Sequence, residues 1–578
     1  MASNNHHGYL SIGGTARAIA PNRWDVVVIP MILCLLALAY FGIHKANVPI
    51  ETIQIEKVTL DPEYLPYYAL RTVLRMLAGL VASLVFTFIY GTLAAKSRRL
   101  ELVLVPILDI LQSVPILGYI SFTVVFFLSL FPGSVMGAEF ACIFAIFTSQ
   151  AWNMTFSFYQ SLRTVPHDLE EASRSFHLSA WQRFWRLEVP FSMPGLIWNM
   201  MMSMSGAWFF VVASEAITVG DKTITLPGIG AYVATALDQK DFGAEGWAVL
   251  AMIGVILLYD QLLFRPLVAW ADKFRFEQTA AQVVPSSWLL DLGRRAHLLG
   301  AVLGPVGWTI RRASMISLPT PKIRTGMPVP SRAVDGVWYV IVVILAAFCV
   351  VRVFDYVSTT LTWHDLGETS LLSLYTLLRV VILIAIASVI WVPLGVMMGL
   401  RPRIAEKVQP LAQFLAAFPA NLLFGFAAVV ILKFDLNRDI WLSPLMLMGT
   451  QWYILFNVMA GATAFPTDMR EAAAMFGVKG WLWWRRVGIP GVFPYFITGA
   501  ITASGGAWNA SIVCEYVKWG DDTLVAHGIG SYIAEMTEKG DYPRIVLGIV
   551  VLSVVVTAFN RVLWRPLYQY AERRMRAT

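Results

Sequence analysis

The chain contains a series of apolar stretches that are each long enough to cross a lipid bilayer, and this feature limits the possible folds more than any other. Hydrophobic residues make up 57% of its 578 residues and charged residues 14%, whereas soluble proteins carry roughly a quarter charged residues. A spanning segment must pair its backbone polar groups internally, so these stretches are expected to be helices. The sequence therefore predicts an all-α polytopic membrane protein and excludes an ordinary soluble enzyme.

About twelve transmembrane helices are expected, in two sets of six. The first set lies near residues 24–43, 72–95, 103–131, 136–158, 200–218 and 245–264, and the second near 334–353, 372–399, 410–432, 438–460, 500–518 and 545–563. If the N-terminus is cytoplasmic, 31 of the 44 Lys and Arg residues fall in cytoplasmic segments. Because basic residues favour cytoplasmic loops, both termini are predicted to be cytoplasmic.

The two sets of spans are copies of one another, at an offset of 300 to 304 residues. The matched pairs include Arg75 and Arg379, Glu171 and Glu471, Gly206-Ala207-Trp208 and Gly506-Ala507-Trp508, and Glu215 and Glu515. Both copies have the same orientation, so this is a parallel repeat of the kind that builds transport pathways. We expect a first half at 1–271, a cytoplasmic linker at 272–333 and a second half at 334–578.

The linker admits two interpretations. Trp288-Leu289-Leu290 lies close to Arg294-Arg295, a pattern that would suit a short basic amphipathic helix on the inner leaflet. A solvated tether between the halves is equally compatible with its composition.

The longest cytoplasmic connection in each half, at residues 166–194 and 466–494, carries the densest repeat. Pro166 suits the first position of a helix, and the acidic residues that follow favour its first turn. A chain reversal with positive φ is expected at His177 in the first copy and at Gly477 in the second. The loop is therefore predicted to form a stiff helix-turn-helix at the membrane surface.

A second short helix is expected in each copy of this loop. It would carry Trp181 in the first copy and Trp481 in the second. Pro190 and Pro490 are predicted to stop it before the next span.

These two loops resemble the EAA loop of ABC-importer permeases. Glu471-Ala472-Ala473 with Gly477 matches that pattern fully, whereas the first copy has Glu171-Ala172-Ser173 with His177. The resemblance occurs once in each half and together covers nearly the whole chain. The Gly-Ile-Gly and Arg-Pro-Leu elements of each half are similar to those of the permeases for nitrate, sulfonate, taurine and bicarbonate. It implies two fused permease subunits with the type I importer fold, in a bacterial inner membrane.

The resemblance also implies partners and a coupling role for the loops. In that family the loop docks on a cytoplasmic ATPase and transmits its nucleotide-driven movement. The residues that correspond are Glu171, Ala172, His177, Glu471, Ala472 and Gly477. The expected partners are two copies of an ABC ATPase, which would bind ATP and Mg²⁺, and a periplasmic or lipid-anchored solute-binding protein. The cargo implied is a small anion.

Ionisable residues within the predicted spans are candidates for function. Arg75 and Arg379 lie near Glu215 and Glu515 in the predicted topology, so an Arg–Glu pair could hold helices together in each half. Alternatively, the guanidinium groups could meet an anionic cargo. Trp208 and Trp508, beside small residues, are predicted to pack at the interface between halves or to line the pathway.

Other classes of function are less compatible with the sequence. No GxxxxGK[ST] motif occurs, so the chain is expected to have no catalytic site and no ATPase site of its own. The histidines show no ligand spacing, so no metal site is expected, and the charge requires no nucleic-acid partner. The alternative hypothesis is a secondary transporter driven by an ion gradient, although it gives no reason for two matched loops. The loops could also be simple connectors anchored at the lipid surface.

Overall fold

The fold was analysed in a computed structural model, which describes residues 58–574 except 114–115, 133, 220–221, 275–286, 296–304, 306, 310–311, 317–331, 464 and 466. The predicted span at 24–43 and most of the linker lie outside the described residues.

The described residues are mainly helical, in agreement with the predicted class. The first half comprises α1 (Leu65–Lys96), α2 (Arg98–Ser113), α3 (Ile116–Leu130), α4 (Met136–Arg163), α5 (His167–Ser175), α6 (Ala180–Arg183), α7 (Val189–Ser214), β1 (Ala216–Val219), β2 (Lys222–Thr225), α8 (Ile229–Asp238), α9 (Phe242–Tyr259) and α10 (Arg265–Ala271). The linker contributes α11 (Trp288–Arg295).

The second half repeats this order of elements. It comprises α12 (Arg332–Ser358), α13 (Trp363–Gly399), α14 (Pro402–Ala417), α15 (Phe424–Lys433), α16 (Arg438–Trp441), α17 (Ser443–Met448), α18 (Gln451–Thr463), α19 (Thr467–Met475), α20 (Gly480–Trp483), α21 (Ile489–Cys514), β3 (Tyr516–Trp519), β4 (Asp522–Val525), α22 (Ile529–Lys539), α23 (Tyr542–Phe559) and α24 (Arg565–Arg574).

Six continuous helices among the described residues are long and apolar enough to cross a membrane, three in each half. The span predicted at 410–432 is broken, because the chain bends by 78° between Lys407–Ala417 and Ala420–Lys433. Phe418 is extended there, with ψ 120°, as expected for a residue that precedes a proline, here Pro419. The predicted spans at 103–131 and 438–460 are likewise divided into shorter helices.

The spans predicted at 200–218 and 500–518 end earlier than expected. Helix α7 ends at Ser214 and α21 at Cys514, and each is followed by a two-stranded antiparallel hairpin. Ala216 pairs with Thr225 in the first hairpin and Tyr516 with Val525 in the second. The β-branched residues that follow each helix were included in the predicted span, but they belong to strands, as is typical of such residues. We call the end of each half that carries its hairpin the hairpin end of that half.

The prediction that Pro190 and Pro490 stop a helix is also wrong. A π-helical turn, Phe184–Glu188 in the first copy and Trp484–Gly488 in the second, joins the short helix to the long span that follows. A π turn leaves room for a residue that lacks an N–H group, so the helix continues through the proline. Each short helix is thus the first turn of a span, at Ala180–Ser214 and Gly480–Cys514.

The described residues group into two compact units that cut across the sequence halves. One contains residues 157–199 and those described between 258 and 330, and the other contains 58–156, 200–257 and 332–574. In the second unit, a large apolar core includes residues from both halves, such as Ile116, Val124 and Trp508. The proposed half boundaries at 271 and 334 stay predictions.

Close helix contacts depend on glycine in this second unit. At Gly399, an added Cβ atom would lie 2.5 Å from the carbonyl oxygen of Met459, a backbone atom that cannot turn aside. Helix α13 therefore approaches α18 more closely than any larger residue would allow.

We predict that Gly399→Ala destabilises the protein by about 1–3 kcal/mol, because the methyl group forces α13 away from α18. The measurement is thermal unfolding of the purified protein in detergent. Gly367→Ala on the same helix is the matched control, since an added Cβ there meets nothing within 4 Å. Equal unfolding temperatures for the two variants would contradict the prediction.

Candidate functional site

The two repeated loops have the same backbone conformation. His177 has φ 52° and Gly477 has φ 64°, so the predicted reversal with positive φ occurs in both copies. The Leu178 amide donates to the Ser173 carbonyl at 3.1 Å, and the Val478 amide donates to Ala473 at 2.9 Å. This six-to-one hydrogen bond is typical of a helix that ends in a left-handed residue. The substitution of His for Gly has therefore left the turn intact.

The departure at Ser173 also leaves the loop unchanged. Its hydroxyl group donates to the carbonyl oxygen of Glu170 at 2.7 Å, and the residue is buried, as Ala473 is in the second copy. A local hydrogen bond of this kind satisfies a buried hydroxyl within a helix.

The tip of each loop exposes large apolar side chains. Phe176 is 78% exposed, Phe476 is 84% exposed and Met475 is 87% exposed. Glu171 is also exposed, and its carboxylate lies 3.3 Å from the ring nitrogen of His167. Exposed apolar side chains grouped beside charges are typical of a surface that contacts another protein or the membrane. The exposure of these side chains became apparent only in the structure.

The linker contacts the first loop, within the first compact unit. Trp181 donates from its indole nitrogen to the carbonyl of Ala313 at 2.9 Å, and Gln182 donates from its amide to the carbonyl of Met315 at 2.9 Å. In the second loop, Trp481 is 75% exposed and Leu482 is 46% exposed. The two loops therefore differ in how their short helices are covered. The linker also contains helix α11, as the amphipathic interpretation expected.

A second group of candidate residues forms a buried ion-pair cluster at the hairpin end of the first half. Arg75 donates to Glu215 at 2.7 Å and to both carboxylate oxygens of Glu139, at 2.6 and 2.8 Å. It also donates to the carbonyl of Pro227 at 2.9 Å, and Arg71 donates to Glu139. The predicted Arg–Glu pair is thus present, within a larger network. Two guanidinium groups face two carboxylates there, so the charges balance.

Glu215 joins three separate segments of the first half. Its Oε1 accepts from the hydroxyl of Thr72 at 2.7 Å, and its Oε2 accepts from the amide of Gly230 at 2.7 Å. The backbone of Glu215 also accepts from the Leu226 amide at 2.8 Å, which closes the hairpin. This buried residue therefore connects α1 and α8 through its side chain and the hairpin through its backbone.

The second half repeats this arrangement with one contact loosened. Glu515 accepts from Arg379, from the Thr376 hydroxyl at 2.9 Å and from the Gly530 amide at 2.8 Å. Asp439, which matches Glu139 at an offset of 300, lies 3.6 Å from Arg379.

The looser contact leaves space beside Arg379. Tyr375 stands where the first half has Arg71, and a cavity of about 660 Å³ opens here, with Arg379, Asp439 and His527 at its polar end. Both halves thus contain the buried Arg–Glu pair, but the residues around it pack less closely in the second half.

The structure buries both tryptophans that were candidates for the pathway. Trp208 and Trp508 are 2% and 1% exposed, and Trp508 packs edge-on against Phe559. A Cβ atom at Gly206 would lie 3.2 Å from the hydroxyl of Tyr453 in the other half. These positions lie in packed helix interfaces, which agrees with the packing interpretation.

Sequence reasoning missed Glu139 and its partner Arg71. A signal was present, because Glu139 and Asp439 are acidic residues at matching places beside apolar runs. It also missed Glu245, which has no acidic counterpart: the matching residue is Ile545.

The fold, with two parallel sets of apolar spans that each carry one exposed helix-turn-helix loop, defines a multi-pass membrane protein. The sequence profile of the family "Binding-protein-dependent transport system inner membrane component" matches residues 87–265 and 391–577, which is more than half of the chain. The chain therefore belongs to this family, in two tandem copies.

Individual relatives are similar to parts of the chain. The bicarbonate transport system permease protein CmpB of Synechococcus elongatus is 25% identical over 177 residues, which cover 31% of this chain and 60% of the relative. The glycine betaine/carnitine transport permease protein GbuB of Listeria monocytogenes is 27% identical over 197 residues, covering 33% and 63%. The nitrate import permease protein NrtB of Synechocystis is 24% identical over 190 residues, covering 33% and 64%. Each alignment covers less than two thirds of the relative's length.

We predict that Arg75→Gln lowers the stability of the protein by about 3 kcal/mol or more, because it leaves Glu139 and Glu215 as buried carboxylates without their main cation. Arg379→Gln should cost less, since Arg379 makes fewer contacts. Fluorescence-detected size-exclusion after heating measures both variants. An Arg75→Gln protein as stable as Arg379→Gln, with a selective loss of transport, would favour a cargo contact instead.

Proposed function

We propose that this chain is the membrane-spanning permease subunit of an ATP-driven ABC importer, with both permease halves in one polypeptide. The observation that carries the proposal is the pair of loops with one conformation, each ending in an exposed aromatic residue beside an exposed glutamate. Membership in the family of binding-protein-dependent permeases supports it. The chain itself would be a transport subunit and not an enzyme.

The two loops are suited to docking on a partner that moves. Each is held stiff by a helix and a closed turn, so a force on its tip reaches the long span that follows without a flexible joint. In the second copy, α20 continues through the π turn into α21, as far as Cys514 beside the hairpin. Movement of an ATPase at this loop would thus tilt a helix that ends beside the buried ion pair of Glu515.

The partners in this proposal are two ATPase subunits in the cytoplasm and a solute-binding protein outside. ATP and Mg²⁺ would be bound by the ATPases. Their closure would draw the loops together and change which side of the membrane the pathway faces, a rigid-body change between two packed states. The contacts between the ATPases and the loop tips would differ between the two states, and this difference would drive the change.

The cargo we propose is a small anion. Relatives named for bicarbonate and nitrate transport support this class. The glycine betaine permeases are similar to the chain to the same degree, so a zwitterionic cargo is the second candidate. In both cases the binding protein would select the cargo.

The first test is purification of the tagged chain from its native membrane, followed by identification of co-purifying proteins. Recovery of an ABC ATPase at two copies per chain is the expected result. A monomer or homodimer that contains no ATPase, together with uptake driven by an ion gradient, would contradict the proposal and favour a secondary transporter.

We predict that Glu171→Ala combined with Glu471→Ala uncouples ATP hydrolysis from transport. Solute uptake should fall by about tenfold, the effect of losing roughly 1.4 kcal/mol of coupling, while the amount of protein in the membrane is unchanged. The measurement is uptake and ATP hydrolysis by the complex in proteoliposomes. Glu170→Ala on the same helix is the control, since Glu170 pairs with Arg174 and has Arg470 as its counterpart. Normal coupling in the double variant would rule out a docking role for the two glutamates.

A further inference from the structure

Among the described residues, the contacts between the two halves at their hairpin ends include four that matter here, all in one region of the second compact unit. The Gly520 amide donates to the Leu237 carbonyl at 2.9 Å, and Lys240 donates to Asp522 at 2.9 Å. The ring of Phe242 packs on Trp519, with centroids 4.6 Å apart. The fourth contact is made by Glu245, one turn further along the first half. Together they close the space between the halves at this end.

Of these contacts, the Lys240–Asp522 pair is the most exposed. The hydrogen bond from Lys240 to Asp522 is the main cause that raises the pKa of the Lys240 ammonium group. Both side chains are about half exposed, so water and salt compete with this ion pair. It is therefore a weak restraint on the two halves.

Glu245 lies in a very different environment. The residue is fully buried, and its Oε1 accepts from the amide of Gly425 in the other half at 3.0 Å. Gly425 is the second residue of α15, so its amide is one of those that a helix leaves without an internal partner. A carboxylate at this end of a helix is also favoured by the helix dipole. Glu245 thus ties the first half to the bent segment of the second.

The fit around this carboxylate is close. A Cβ atom on Gly425 would lie 2.3 Å from Oε2 of Glu245 and 2.5 Å from the ring of Trp519. Among the described residues, Oε2 has no donor at hydrogen-bond distance and angle, although the backbone amide of Phe426 also stabilises the carboxylate. A buried carboxylate with one satisfied oxygen is costly to keep, and it would gain hydration if the halves separated. The contact is therefore specific in its packing, and the regained hydration of the carboxylate lowers the free-energy cost of separating the halves.

The repeat provides a comparison within the molecule. Ile545 occupies the position of Glu245 in the second half, and it is fully buried. An apolar side chain there can pack but cannot bind an amide. Within the part of the chain that the structure describes, this polar contact is therefore made by Glu245 of the first half and has no equivalent at Ile545 of the second half.

We infer that Glu245 is the residue that holds the hairpin ends of the two halves closed, and that it leaves the amino end of α15 when the pathway opens to the outside. This inference rests on the proposed function, in which the hairpin ends face the outside. Glu245 is a positioning residue in this role: it acts on the equilibrium between closed and open states through the contact with α15, and it need not touch the cargo.

The test measures closure directly in the complete complex with its ATPases, in lipid nanodiscs. All four native cysteines are replaced by alanine, and Lys240→Cys with Asp522→Cys provides a reporter pair for a short bifunctional thiol reagent. Glu245→Gln, Glu245→Ile and the control Glu538→Gln are then built in this same background. Glu538 pairs with Lys518 and Tyr516 inside its own half, so its replacement removes an equal charge without touching the other half.

We expect Glu245→Ile to shift the closed–open equilibrium toward the open state by about tenfold, and so to lower the crosslinking rate without added nucleotide. Glu245→Gln keeps an acceptor oxygen for the Gly425 amide and loses only the charge, so its shift should have the same direction and be smaller. Basal ATP hydrolysis should rise in the same variants. Glu245→Ile copies the residue of the other half and is expected to fold. Crosslinking and ATP hydrolysis equal to those of Glu538→Gln in both variants would overturn the inference.

The result separates this inference from the proposed function. Trapping the reference complex with ATP and vanadate should abolish crosslinking if the complex is an ATP-driven importer. If trapping has no effect on the reference, the proposed function fails. If trapping works and the Glu245 variants still close as tightly as the control, only the role of Glu245 fails. A merely structural role would lower thermal stability and leave the crosslinking rate of the folded fraction unchanged.

Discussion

The hairpin end of each half depends on one buried carboxylate, Glu215 in the first and Glu515 in the second. Each sits where a long helix ends and receives donors from an arginine and a threonine hydroxyl on one neighbouring helix and from a backbone amide at the start of a short helix. In a membrane protein, such a charge is tolerated only when it is paired and hydrogen-bonded. Removing the donors would therefore release the hairpin and the short helix together, which makes this ion pair an organising contact of the fold.

The same repeat has been modified differently at its two ends. At the loops, both copies have the same backbone conformation even though His177 stands where the second copy has Gly477, because the turn requires only a positive φ angle at this residue. At the hairpin ends, the side chains differ: Asp439 is too short to reach Arg379 as Glu139 reaches Arg75, and Glu245 has isoleucine as its counterpart. A fused chain can carry such one-sided features, because each half can change without altering the other. The linker contact to Trp181 is a further difference of this kind.

Much of the architecture could be predicted from residue patterns. Apolar length located six spans that the structure contains, and the identity of residues 300 apart revealed the duplication. The turn at Gly477 followed from a residue type whose backbone requirement is local. Predictions failed where a local signal was ambiguous: apolar β-branched residues after Ser214 were assigned to a helix, and Pro190 was taken as a helix stop. The hairpin closes on the backbone of Glu215, and a π turn accommodates the proline. Neither can be read from a linear pattern.

The sequence by itself determined the membrane class, the two parallel copies and the conformation of the two repeated loops, because hydrophobic length, residue identity and turn chemistry can be read directly along the chain. Only the tertiary structure decided which ionisable groups meet. Arg75 was an expected partner of Glu215, but the contribution of Glu139 required a helix from another part of the half to bring it near. Glu245 gave no signal at all, since its partner is the end of a bent helix 180 residues away. Every residue except proline has a backbone amide, so the residue type does not mark which amide will be the partner. Such a contact can be recognised only in the folded chain.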